Sequence, residues 1–213
     1  MTVLVGVGFA LVSLALFAAL VATPEAAGLG ALARSEIAET GVSNPVTAVL
    51  LDYRAYDTLL ELVVVLLAAV AAGALAPRDP APAPLDGPVA EAAAGLLTPG
   101  IVLVAGYLLW IGSKAPGGAF QAASLLAGGL ILLEVTGKTP PPRSEAASRA
   151  LAGLGVLAFL VVGVGVAVAA GSGVFLDHPA PFAGSLILAI ESAATLGIAA
   201  GLLALFRAGT APA

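Results

Sequence analysis

The chain has no cysteine, one histidine and one tryptophan, and only 10% of its 213 residues are charged. Without cysteine there are no disulfides, thiolate metal sites or cysteine nucleophiles, and the redox compartment cannot be read. The lone His178 excludes a multi-histidine metal centre. A soluble domain clothes its surface with about a quarter charged residues, far more than this chain carries. The net charge of −5 offers no basic surface for nucleic acid. No glycine loop stands between a strand and a helix to cradle a phosphate. The Asp177-His178 pair has no serine placed to complete a hydrolase triad. The expectation is no cofactor, no metal and no catalysis by the chain itself.

What is present is apolar: 60% hydrophobic residues and a mean hydropathy of +1.10. The apolar residues fall in six blocks, at 3–21, 59–76, 96–113, 120–135, 150–170 and 182–206. At 1.5 Å per residue each block approaches the ~30 Å of a bilayer core. Backbone in lipid must bond to itself, so the blocks are read as helices. The expected fold is all-α, a polytopic membrane protein with about six transmembrane helices. The first block lacks a basic leader and is longer than a signal-peptide core, which argues against cleavage. If both termini lie on one side, that side holds Arg78, Lys138, Arg143, Arg149 and Arg207. The other holds Arg34, Arg54 and Lys114. The positive-inside rule then favours cytoplasmic termini.

A proline-rich spacer, PRDPAPAPLDGP at 77–88, divides the blocks two plus four. The division is a module at 1–80, a linker at 81–95 and a module at 96–213. A second proline run at 140–142 joins blocks four and five. Pro116, Gly117 and Gly118 set a tight reversal, so blocks three and four should form an antiparallel hairpin around residues 115–120. Lys114 anchors the hairpin end, and Tyr107 and Trp110 read as an interfacial aromatic belt. Small residues recur at every fourth position, at Gly163, Ala167 and Gly171 and at Gly197 and Gly201. Such stripes let helices approach closely.

The residues that bear on function are charges inside apolar blocks, which are costly there unless partnered. Glu191 lies nine residues into the last block, about 13 Å along a helix, near the bilayer midplane. Ser192 and Thr195 are placed to hydrogen-bond it. It is either a proton or cation relay or a neutral acid that docks a neighbouring helix. A second group is Arg54, Asp57, Thr58 and Glu61, which share one face by i, i+3, i+4 and i+7 spacing. Arg54 can pair with Asp57, and Asp57 or Thr58 can cap the helix. This group is either an ion-entry site or an interfacial collar. Glu134 is expected to reach water beside Lys138, and His178 to be a solvated loop residue.

The stretch SNPVTAVLLDYRAYDTLLE at 43–61 resembles a segment near the end of the large MrpA subunit of multisubunit Na+/H+ antiporters. It is also similar to the MbhE-like subunit of membrane-bound hydrogenases. The match keeps Asp52, Arg54, Asp57, Thr58 and Glu61. Residues 115–120, APGGAF, resemble the turn of the MrpB (MnhB) family, although Ile111, Ser113, Lys114 and Ala119 depart from its pattern. The helix around Glu191 resembles that family's acidic helix. The resemblance implies an accessory membrane subunit of a Mrp-type complex in a prokaryotic cell membrane. Its partners would be other Mrp-type subunits, including large antiporter-like ones, and the moved ions Na+ and H+. Glu61 and Glu191 would handle ions, with Asp57, Arg54 and Thr58 around them. The alternative is a purely structural scaffold subunit of a hydrogenase or complex I-related respiratory complex.

Overall fold

Long aliphatic runs close their hydrogen bonds internally, and the computed structural model is helical throughout its regular elements. The described residues are 2–22, 29–75, 84–85, 87–138, 144–169 and 174–210. Most of the proline-rich spacer, the second proline run, Arg78, Arg143 and Gly171 lie outside them. The chain falls into two units. The first, residues 1–36, holds α1 (Thr2–Ala22) and α2 (Leu29–Ser35). The second, residues 37–213, opens with a 3-10 turn (Ile37–Thr40), the short α3 (Pro45–Ala48) and a π-helical turn (Val49–Tyr53). There follow α4 (Ala55–Leu75), α5 (Pro88–Ile111), α6 (Ala119–Val135), α7 (Glu145–Ala152), α8 (Leu154–Ala169) and α9 (Ala180–Gly209).

The axis of the second unit is α9, against which α4, α6 and α8 all pack. Half of its apolar window is buried, against 17% for α4 and 11% for α5, so the latter two lie at the periphery. Small residues permit the contacts. A Cβ on Gly155 would lie 2.8 Å from Ala194 Cα, and one on Gly197 would lie 3.1 Å from Gly155 N, which fixes α8 against α9. Gly201 instead faces Val65 and Ala69 of α4. The last glycine stripe therefore serves two neighbours, and Gly163 makes room for the Phe175 ring. Phe159, Ile187 and Ile190 fill the centre with no exposed surface.

Among the described residues, α4, α5 and α9 are long and apolar enough to cross a membrane. Together, α7 and α8, bent 49° at their junction, make a fourth if taken as one broken span. The expected count of six is thus not reached. Of the remaining blocks, α6 has 17 residues, about 25 Å at 1.5 Å each. Helix α1 has 21 residues, about 31 Å at 1.5 Å each, and its side chains are described at 10–19 and 21–22 alone. Two helices begin earlier than hydropathy places them. One is α5, which starts at Pro88, a residue suited to the first helical turn; the other is α4, which starts at Ala55.

The expected hairpin is formed by α5 and α6: Gly118 meets Leu108 and Gly129 meets Ile101, so the two run antiparallel. At the far end of α6, Glu134 takes a two-pronged bond from Arg207 of α9, at 2.9 Å and 2.6 Å. Glu134 therefore does not simply reach water beside Lys138 as expected. Parallel packing of α6 on α9 brings Arg207 to it, while Lys138 turns to Glu91 at 3.9 Å. Replacing Gly155 by leucine should force α8 away from α9 and destabilise the unit by about 1–3 kcal/mol. Thermal unfolding of the detergent-solubilised protein measures this.

Candidate functional site

The chain breaks between α5 and α6, and both helix ends then hold backbone groups with no partner in their own helix. At the break Gly112, Gly118 and Ala119 are buried, whereas Lys114 and Pro116 are exposed. Glu191, level with the start of α6, lies eleven residues inside α9, about 16 Å below its start. At the buried positions protein supplies the partners. On the α5 side, Asn44 Nδ2 donates to Gly112 O at 2.8 Å and to Ala115 O at 2.9 Å. Thr47 Oγ1 donates to Gly112 O at 2.6 Å. The backbone N–H groups of Ser43 and Asn44 both donate to Ser113 O. Asn44 also caps α3, its Oδ1 accepting from Val46 N at 3.1 Å, ahead of Pro45. Gly112 carries no side chain for a steric reason: a Cβ would sit 2.7 Å from Gly118 N and Cα.

On the α6 side the partner is Glu191. The Ala119 backbone N–H donates to its carboxyl, a placement that the positive end of the α6 dipole favours. Gly118 holds φ +113, and a Cβ there would lie 2.8 Å from Glu191 Oε1. The residue is 4% exposed, and its Oε2 has no hydrogen-bond partner among the described residues. It lines a cavity of about 80 Å³ together with Thr47, Thr58, Gln121, Phe120 and aliphatic neighbours. That space is large enough to admit water or a small cation. Ser192 and Thr195 do not bond the carboxyl as expected. Each sits in mid-helix and turns its hydroxyl back, Ser192 to Leu188 O and Thr195 to Glu191 O, both at 2.7 Å.

The four residues expected on one face of the second block divide. Arg54 precedes α4 and pairs with Asp57, as the spacing implies. With Glu61 these two line an open hollow of about 640 Å³ on the outward side of α4. Thr58 turns inward, is 5% exposed and faces the Glu191 cavity. It does not cap α4, nor does the helix start at Asp57. Its hydroxyl donates to Leu50 O at 2.7 Å and so closes the π-helical turn. Glu61 and Glu191 are thus not in one site. Phe120 lines both the cavity and the hollow and stands between them.

The expectation of a solvated His178 is overturned. Its side chain has no exposed surface and lies 3.5 Å from Asp52, with hydrogen-bond geometry at neither nitrogen. Buried Leu176 at φ 64 and the Phe175 ring, 5.4 Å from that of Tyr56, hold this loop against the start of α4. Sequence reading assigned no role to Asn44, Thr47, Phe120 or Gln121. The Asn44-Pro45 pair carried a usable signal, since asparagine before proline marks a helix start. Among the described residues no group of three or more His, Cys, Asp or Glu could hold a metal.

The sequence-family model described as "Domain related to MnhB subunit of Na+/H+ antiporter" matches residues 89–210, more than half of the chain. The chain belongs to this MnhB-related family. Residues 1–89 match a second family model, MbhE, a component of MBH. No curated protein matches the chain. Two solved structures share the fold. One is a chain of the Mrp complex from Dietzia sp. DQ12-45-1b, 27% identical, with a TM-score of 0.69 over 97% of this chain. This chain spans 26% of the length of that one. The other belongs to the membrane-bound sulfane sulfur reductase (MBS), an archaeal respiratory membrane complex. It is 22% identical, with a TM-score of 0.76, and the match covers 99% of this chain and 98% of that one.

Two outcomes follow from this geometry. Asn44→Ala strips buried carbonyls of their donor and should lower stability by about 2–4 kcal/mol, measured by thermal unfolding in detergent. Phe120→Ala should join cavity and hollow. A cysteine placed at Ile190 in this cysteine-free chain should then react with a water-soluble thiol reagent, and should resist it while Phe120 is present.

Proposed function

We propose that the chain is a small membrane subunit of a Mrp-type cation/proton antiporter, or of a related membrane respiratory complex, and that Glu191 handles the moved ion. The family match and the shared fold support the subunit reading. The observation that carries the ion-handling reading is the Glu191 carboxyl, with one oxygen held at the start of α6 and the other without a partner among the described residues, in a small, mostly apolar cavity that Thr47, Thr58 and Gln121 also line. Intramembrane acids facing a cavity are the usual proton and cation carriers of membrane proteins. Thr58 is the neighbouring hydroxyl, and Asp57, Arg54 and Glu61 set the charge beyond Phe120.

In this reading the chain has no turnover alone and works beside large antiporter-like subunits, moving Na+ against H+. It lies in a prokaryotic cell membrane with its termini in the cytoplasm. All six apolar blocks cross, α6 being completed by neighbours. Residues 1–80 and 96–213 are two modules fused through a linker at 81–95.

One observation favours a second reading, in which the chain is only a scaffold: the Ala119 N–H bond gives Glu191 a structural task. Glu191→Gln separates the two. Glutamine keeps an acceptor oxygen for Ala119 but cannot release a proton or carry charge. Ion handling predicts that cation-driven proton flux through the assembled complex in vesicles falls on the order of a hundredfold, as for a positioned proton-transfer group. Unchanged flux would leave the scaffold.

A further inference from the structure

The inward face of α4 is accounted for: Ala55, Thr58, Leu62 and Ala69 are buried. Its outward face is not. Tyr56, Leu60, Val64 and Leu67 are 57–65% exposed there, and Glu61 is exposed among them. Glu61 lies six residues into the helix, about 9 Å from its start. Its side chain is too short to reach far toward the interface, unlike the lysine or arginine that snorkels. Arg54 is already engaged by Asp57. Glu61 has neither an ion pair nor a hydrogen bond among the described residues, and the three charges around the hollow sum to −1.

Lipid cannot solvate that carboxylate, so this face does not look onto lipid. Leu60 and Val64, one turn apart on the exposed side of the acid, do not suit a water-filled vestibule. The surface suits a protein helix that is aliphatic along its length and basic at one point. Membrane-spanning partners are helices, and helix axes pack 8–10 Å apart, close enough for such a side chain to enter the hollow.

We propose that the hollow bounded by Arg54, Asp57, Leu60, Glu61, Val64 and Phe120 is the docking face for a transmembrane helix of a neighbouring subunit, and that this helix places a lysine or arginine against Glu61. The inference rests on the reading of the chain as a subunit of a membrane complex. It is independent of whether Glu191 carries an ion.

The chain has no cysteine, so Leu60→Cys and Val64→Cys are clean reporters in the purified, assembled complex. A benzophenone attached at either position should cross-link to one spanning helix of one subunit, beside a lysine or arginine located by mass spectrometry. The same probe at Leu103→Cys, an exposed site on α5, is the comparison. Glu61→Lys should lower recovery of that subunit about tenfold or more after detergent washing, the scale of an uncompensated charge in an interface. An acidic replacement of the partner's cation should restore it. Lipid adducts alone at positions 60 and 64 would overturn the proposal. So would rapid modification of both cysteines by a water-soluble thiol reagent, which would mark an aqueous path. Cross-linking needs no change at Glu61, so the test survives if Glu61→Lys fails to fold. Loss of docking with normal flux changes at Glu191, or the converse, tells the failure of this inference from the failure of the ion-handling reading.

Discussion

The constraint on which the second unit depends is the helix break between Ile111 and Ala119, whose buried backbone groups are satisfied by protein. An unpaired amide or carbonyl costs several kcal/mol in an apolar interior, so the break can exist only if other segments bring donors and acceptors to it. The carbonyl end draws in Asn44, Thr47 and the Ser43 amide. The amide end draws in Glu191. These groups come from residues far apart in the chain, on opposite sides of the proline-rich stretch. The two regions matched by separate family models therefore meet through hydrogen bonds at one turn.

That requirement explains why an acid is tolerated at the core of α9. A carboxylate at a helix start is stabilised by the dipole and by the N–H groups that point at it. A second carboxyl oxygen comes with the first, and here it faces a cavity. Structure and ion handling need not compete for this residue, because each uses a different oxygen. Thr58 shows the same economy, its hydroxyl closing the π-helical turn while the residue lines the cavity wall.

Much of this was legible beforehand where one local rule acts alone. Block length marked the helices, Pro116 with Gly117 and Gly118 marked the hairpin, and an acid in an apolar run marked Glu191. The Arg54–Asp57 pair followed from spacing. What failed depended on neighbours distant in sequence. Thr58 was assigned to the charged face by its spacing from Arg54. Arg54 lies before α4, which starts at Ala55, and within that helix Thr58 stands about 100° round from Asp57. Glu134 was sent to water beside Lys138, since nothing local shows that α6 and α9 run in parallel and bring Arg207 alongside. His178 was placed in water because polar neighbours and a proline read as a loop. The segment is a loop, but Phe175 and Leu176 anchor it against α4 and bury the imidazole with it.

The division of α4 into two faces shows why the unit reads as part of something larger. Its inner face is closed: Thr58 bonds Leu50 O, and the small residues admit α9. Its outer face leaves the Glu61 carboxylate among exposed aliphatics, with no partner among the described residues. A bundle that satisfies its inward polar groups and turns a membrane-depth charge outward does not close its own electrostatics. In water that would be unremarked, since solvent completes any exposed carboxylate. In a bilayer the completion must come from protein, and the position of Glu61 tells which side of the bundle it comes from.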